Sequence, residues 1–318
     1  MKKIMVSGAS GVVGYSCLKA LQSVKRYYLV GTSIYESDVA QKYCDAFFIA
    51  PHTGSDHYSV WLKKIVSDYD IDLLIPGIEI DLYKWNEMRD KLDEWGVKVI
   101  LNSSQLIDLC QDKWEFYRKI KLIDEDICIP TILQCDYNVA TATLGSNMII
   151  KPRRGYGSIG IHYISNEKEY NFYRKDGCVI QKRIFGEEYT VGAFYDNSSN
   201  LSTYISLERK LGRGGFTEFA ETKDHPQIKP IISKLGKELG AIGITNYQFI
   251  NDEGKLKLLE INPRISSSTS MRALLGYNEC DMGVRFTLWN ELPGKINIKR
   301  GKVTRYIEEI VVYDRNHI

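Results

Sequence analysis

The segment "NYQFINDEGKLKLLEINPRISSS", residues 246–268, holds a glutamine, a glutamate, an asparagine and an arginine that two strands can bring together. The polar turn at Gly254 between apolar runs reads as a hairpin. With Ile250 opposite Leu256, side-chain alternation puts Gln248, Leu258, Glu260 and Asn262 on one face. A carboxylate flanked by two amide carbonyls suits Mg²⁺ that already carries nucleotide phosphates. Pro263 ends the strand because it has no ladder donor. Arg264, just past it, is placed to meet phosphate charge in a transition state. The alternative is a set of polar strand residues satisfied within the protein. Three ligand-capable side chains beside an arginine weigh against it.

Two earlier stretches have the chemistry of a nucleotide site. "MIIKPRRGYGSIGI", residues 148–161, joins two strands through Gly155, Gly157 and Gly160. Glycines there let backbone N–H groups approach phosphates, and Lys151 with Arg153 or Arg154 adds positive charge. A flexible hairpin with solvated arginines fits the same residues, and this stretch alone leaves both readings open. "VIQKRIFGEEYTVGAFY", residues 179–195, kinks at Phe185–Gly186. The backbone of Lys182, Arg183 and Ile184 offers a donor–acceptor pair to a purine, with Gln181 nearby and Glu188 for ribose hydroxyls. An ordinary strand corner with surface acids is the other reading.

The N-terminal "IMVSGASGVVGYSCLKAL" puts Gly8, Gly11 and Gly14 in a strand-to-helix turn. A dinucleotide site also wants an acid at the end of the second strand. That strand ends "YYLVGTSIY", with Gly31, Thr32 and Ser33 in its place, which argues against a nicotinamide oxidoreductase. The glycines instead predict a tight turn that lets the helix pack on its sheet. The open helix N-terminus at Gly11 suits a substrate carboxylate, with Glu79 of "LIPGIEID" lining the same cleft.

These residues need a frame. Strands are expected at Lys3–Val6, Tyr28–Gly31, Ala46–Ile49, Leu73–Pro76 and Val97–Leu101, with helices at 12–24, 56–69 and 81–95, a parallel sheet covered on both faces. "NSSQLIDLCQDKWEFYRKIK" predicts one long, serine-capped connecting helix. From about residue 125, strands at 146–151, 159–164, 178–183, 187–195 and 201–209 predict an antiparallel flap and a larger α+β lobe. In "QIKPIISKLGKELGA", Ile228, Ile231, Ile232, Leu235 and Leu239 form the stripe of a helix covering a sheet.

The 318 residues suggest roughly two domains at about 150 residues each. A net charge of +2 gives no global field favouring nucleic acid or membrane. The chain enters a strand without a signal peptide and has no membrane-length apolar run. Its seven cysteines form no CxxC pair, so free thiols in a reducing cytoplasm are expected, and the five histidines lack zinc-ligand spacing.

In order and spacing these motifs resemble the ATP-grasp superfamily, in particular its carbamoyl-phosphate synthase large-subunit-like carboxylate–amine ligases, over nearly the whole chain. The resemblance implies a Rossmann-like pre-ATP-grasp domain at 1–103. It implies a linker helix and flap at 104–185, and a C-terminal lobe with the metal site at 186–318. Lys113 of "CQDKWEFYRKI" and Lys151 match the two basic phosphate ligands. "IQKRIFGEEYTV" matches the adenine hinge, with Gln181 where an acid is usual and Glu188 kept for ribose. Gln248, Glu260 and Asn262 become the Mg²⁺ set, with Mn²⁺ able to substitute, and Arg264 the phosphate-facing arginine.

The implied activity is ATP-dependent joining of a small carboxylate to an amine, or a thiol, through an acyl phosphate. A homodimer is frequent among such proteins. Ser267 departs from the pattern, because bicarbonate-phosphorylating halves commonly carry a second arginine there. With a single grasp unit, this favours a larger carboxylic acid, for which Arg209, Arg213 and Arg272 are candidate holders. A phosphotransferase making a stable phosphorylated product and a silent nucleotide-binding module are the competing readings.

Overall fold

The computed structural model describes residues 1–36, 38–155, 157 and 159–311. Its first sheet contains β1 (Lys2–Val6), β2 (Tyr27–Ser33), β3 (Ala46–Ile49), β4 (Leu73–Ile75) and β5 (Lys98–Val99), all parallel, in the order β3-β2-β1-β4-β5. Between them run α1 (Val12–Gln22), α2 (Asp38–Gln41), α3 (Tyr58–Asp68), α4 (Glu79–Glu87) and α5 (Arg89–Glu94). The expected helix over 81–95 is therefore two, interrupted at Met88. Chain direction across the sheet reverses between β1 and β4, and ligands of open parallel sheets bind outside the carboxyl ends at such a switch point.

The expected long connector is also two helices, α6 (Ser104–Gln111) and α7 (Lys113–Ile123). Ser103 caps the first, its hydroxyl accepting from the Leu106 N–H. Asp112 is extended, and its carboxylate accepts from the N–H groups of Trp114 and Glu115, starting a new helix where the pattern alone ran on.

The second sheet, ordered β6-β9-β7-β8, is antiparallel: β6 (Thr131–Leu133), β7 (Met148–Pro152), β8 (His162–Ile164) and β9 (Cys178–Lys182), backed by α8 (Tyr137–Leu144) and α9 (Glu167–Tyr173). The third carries β10 (Glu187–Tyr195), β11 (Leu201–Leu211), β12 (Thr217–Thr222), β13 (Gly243–Asp252), β14 (Lys255–Asn262) and β15 (Lys302–Thr304) in the antiparallel order β14-β13-β10-β11-β12-β15. α10 (Ile228–Leu239), α11 (Thr269–Leu274) and α12 (Glu279–Trp289) cover its faces. α10 buries Ile228, Ile232, Leu235 and Leu239 against it, as the stripe predicts. No helix among the described residues is long and apolar enough to cross a membrane. All seven cysteines are free thiols, with Cys17, Cys128 and Cys280 buried.

The N-terminal glycines are packing elements. A methyl group on Gly14 would lie 2.3 Å from the Gly8 carbonyl oxygen, and one on Gly77 would lie 2.0 Å from the Ser7 oxygen. The β1 and β4 loops and the start of α1 are thus in backbone contact. Gly14→Ala is expected to destabilise the fold by roughly 2–3 kcal/mol, because the obstacle is main chain rather than a movable side chain. Urea denaturation measures it; a loss under 0.5 kcal/mol, roughly that of a neutral surface change, would contradict this packing.

Candidate active site

A single cleft of about 850 Å³ runs from the carboxyl ends of β1 and β4 to a slot between the second and third sheets. Two lysines enter it from different elements. Lys113 is the first residue of α7; its N–H donates to the Arg153 carbonyl at 2.9 Å and its Nζ to the Gly155 carbonyl at 3.0 Å. Lys151 stands one residue before the end of β7, and its Nζ donates to Gln181 Oε1 at 2.7 Å. Gln181 is itself held by Thr131, whose hydroxyl accepts from Nε2 at 2.9 Å. A neutral amide here orients Lys151 without cancelling its charge. Burial brings the Lys151 ammonium down to about 8, Glu260 opposing the shift and Lys113 adding to it. Lys113 is lowered too, chiefly by burial.

Gly155 and Gly157 line the cleft beside these lysines. Arg153 does not: its Nε donates to both Asp112 oxygens, at 2.7 and 2.8 Å, and Nη2 reaches Glu115 at 3.2 Å. This corrects its expected contact with the nucleotide. Arg153 clasps the loop to the α7 cap instead.

Lys182, Arg183 and Ile184 all line the slot. The Lys182 N–H donates to the Pro130 carbonyl at 2.9 Å, and the Arg183 N–H to the Asn147 carbonyl at 3.0 Å. Pro130 has no N–H to return, so the Lys182 carbonyl stands ready for another donor. The Arg183 guanidinium lies 4.4 and 4.5 Å from the Tyr163 and Phe185 ring centroids.

The β13–β14 hairpin has a different register from the expected one. Ile250 pairs with Lys257, Phe249 with Leu258, and Gln248 with Glu260, leaving Leu259 as an extra residue. This bulge reverses the alternation. Gln248, Glu260 and Asn262 share the cleft face, whereas Leu258 packs with Phe249 in the core on the other side, although it also borders the cleft. Asn262 Nδ2 donates to Glu260 Oε1 at 2.8 Å. Gln248 Oε1 accepts from Arg209, which also pairs with Glu188 at 3.1 Å. These oxygens fit a hard divalent cation. One full carboxylate is too little charge for an all-protein cage, so the set fits an ion that shares its charge with phosphate oxygens. No cluster of three or more His, Cys, Asp or Glu side chains among the described residues offers another metal site.

Arg264 closes this end of the cleft. Its Nη1 donates to the Ile265 carbonyl at 2.8 Å, and its Nη2 pairs with the Glu79 carboxylate at the start of α4. Burial pushes the Glu79 carboxyl up, but the charge and hydrogen bond of Arg264 outweigh it and hold the group below its ordinary value. Gly11 and Ser267 line the same end. Among the candidate carboxylate holders, only Arg209 borders the cleft. Arg213 is exposed on the β11–β12 loop, away from the lining. Arg272 is fully buried and spends its two Nη groups on Glu279, Thr190 and Asn246. Cys110 borders the cleft with its thiol pushed up by burial and by Glu260, which makes it an inert wall. Sequence reading passes over Asp81, two residues beyond Glu79 in the first turn of α4, and Thr53, whose loop has no motif.

Residues 110–268, half of the sequence, match the ATP-grasp domain family. The chain belongs to that family. Among curated relatives of this ATP-grasp protein, the carbamoyl phosphate synthase large chain of Clostridium botulinum is 26% identical over 242 residues, covering 65% of this chain and 22% of the relative. The chain thus spans about a fifth of the length of such relatives. Two solved structures share its fold. N5-carboxyaminoimidazole synthetase from Staphylococcus aureus, complexed with ADP, superposes with a TM-score of 0.74 at 19% identity, covering 93% of this chain and 80% of that one. Biotin carboxylase from Campylobacter jejuni gives 0.73 at 17%, covering 95% and 74%.

The depressed Lys151 has a measurable consequence. Between about 8 and the ordinary value of 10.5, the unfolded chain keeps this proton while the folded one has lost it. Stability contributed by this group therefore rises with pH across that window and is flat below it. Urea unfolding at several pH values should show the rise in the wild type and a reduced rise in Lys151→Met; equal slopes would contradict the burial of this charge.

Proposed function

We propose that this ATP-grasp chain is an ATP-dependent ligase that joins a small-molecule carboxylate to an amine, or to a thiol, and releases ADP and phosphate. The observation that carries the reading is the convergence of Lys113, Lys151, Glu260, Asn262 and Arg264 on one cleft. Arg209 is neutralised by Glu188 and Arg264 by Glu79. The two lysines then face one carboxylate, so the floor carries a net positive charge that suits a triphosphate with its cation.

In this reading the Lys182 carbonyl and the Ile184 N–H receive the adenine edge, and Glu188 the ribose hydroxyls. Lys113, Lys151 and the Gly155–Gly157 loop hold phosphate oxygens. Gln248, Glu260 and Asn262 hold Mg²⁺, or Mn²⁺ in its place; the cation would draw charge from the transferring phosphoryl group. Arg264 stabilises that group as it passes to a carboxylate oxygen, the bond to the ADP oxygen breaking as the new P–O bond forms. The nucleophile then attacks the acyl carbon, phosphate leaves with the C–O electron pair, and the nitrogen or sulfur loses its proton. Residues 1–103 form the substrate wall, 104–185 the flap that excludes water from the acyl phosphate, and 186–318 the metal lobe, of which 312–318 lie outside the described residues. Ser267, with no charge to clasp a bicarbonate ion, supports a larger acid.

Incubation with ATP, Mg²⁺, a carboxylate library and amines tests this. ADP and phosphate should appear only when both acid and amine are present. Amine-independent build-up of a phosphorylated acid would favour phosphotransfer, and absence of nucleotide binding would end the reading. Glu260→Ala should abolish turnover in a folded protein. Arg264→Met should lower kcat by about 10²–10³-fold with little change in nucleotide Kd. A drop in affinity without loss of kcat would remove Arg264 from the phosphoryl-transfer step.

A further inference from the structure

The β1/β4 end of the cleft contains a carboxylate that nucleotide chemistry does not use. Asp81 lines the cleft and is only 5% exposed. Its Oδ1 accepts from the Thr53 hydroxyl at 2.6 Å and from the Tyr58 hydroxyl at 2.9 Å. Trp85 Nε1 donates to the same Tyr58 oxygen at 3.1 Å, so the carboxylate is fixed by a buried relay. Oδ2 has no hydrogen-bond partner among the described residues, and no lysine, arginine or histidine pairs with this acid. A buried carboxylate without a counter-charge is costly unless a ligand supplies one.

The rest of this end explains what that ligand carries. Between Gly8 and Tyr83 the lining residues include no lysine or arginine. Glu79, the neighbouring acid, is already neutralised by Arg264. Across the switch point, the N-cap of α1 is Gly11, with no side-chain cap and no acid in the first turn, so the N–H groups of this cleft-lining turn are uncompensated. The first turn of α4 is the reverse, with Glu79 and Asp81 both in it. One wall thus donates and the other accepts.

We propose that this crevice binds an amino acid as the carboxylate substrate of the ligase, with its protonated amine read by Asp81 Oδ2; the proposal rests on the ligase reading above. Charge complementarity does the selecting. An ammonium satisfies the open oxygen and neutralises the acid, whereas a hydroxyl in its place supplies one hydrogen bond and leaves the charge buried.

Thermal-shift and calorimetric titration of the full chain, with Mg²⁺ and a non-hydrolysable ATP analogue, test this. The probes are the proteinogenic L-amino acids, each hit being repeated with its α-hydroxy acid. At least one amino acid should bind, and its hydroxy counterpart should bind roughly tenfold more weakly or worse. Asp81→Asn should reduce that preference to about threefold or less while nucleotide affinity stays unchanged. If Asp81→Asn fails to bind nucleotide, Thr53→Val, which removes one donor to Oδ1, carries the test and should narrow the preference by about threefold. Nucleotide binding without any amino-acid binding overturns the inference and leaves the ligase reading standing. So does equal affinity for the hydroxy acid, or an undiminished preference in the variant that carries the test. Failure of the wild type to bind nucleotide overturns the ligase reading and this inference with it.

Discussion

The architecture turns on an imbalance of buried charge. Lys113 and Lys151 are brought from a helix start and a strand end to face Glu260, and burial lowers the proton affinity of both. A pair of cations held this way is stable only because other groups absorb part of the field. Glu260 acts on both lysines, and Gln181 accepts from Lys151. The remaining excess makes the cleft complementary to an anion. Neutral Gln181 accepts from Lys151 without adding a counter-charge.

The cleft also depends on how three sheets are fastened. Arg264 and Glu79, separated by 185 positions, tie the end of the β13–β14 hairpin to α4 beside the parallel sheet through a mostly buried pair. Asn102 links the two a second time, donating to Thr245 Oγ1 at 2.8 Å and accepting from the Ile242 N–H at 2.9 Å. The flap sheet is fastened differently, through the Arg153–Asp112 pair and the Lys113 contacts with the loop after β7. Two lobes thus form a fixed wall, and the third hangs from a helix cap.

Most of the frame, and the common cleft face of Gln248, Glu260 and Asn262, was legible in the sequence, because both rest on local patterns. Alternating strands and helices, the glycine turn and the α10 stripe follow from periodicity and steric demand. What escaped detection was set by single residues acting against the pattern. Asp112 breaks a continuous helical stripe because its carboxylate caps the next helix. Leu259 is one unpaired residue, and it rotates Leu258 out of the face on which strict alternation would put it. Arg153 and Arg272 look like free cations in a linear reading, yet their partners Asp112 and Glu279 are fixed only by tertiary contact. Asp81 was hidden for the same reason, its meaning residing in Thr53, Tyr58 and an empty second oxygen.

Pro130 is the least conspicuous of these residues. Its missing N–H leaves the Lys182 carbonyl as an acceptor in the slot. An acceptor at that place is complementary to an exocyclic amino group and repels a carbonyl oxygen. On the ligase reading, a proline just ahead of β6 would thereby separate adenine from guanine nucleotides, and base selection would be built into the backbone without a side chain to guard it.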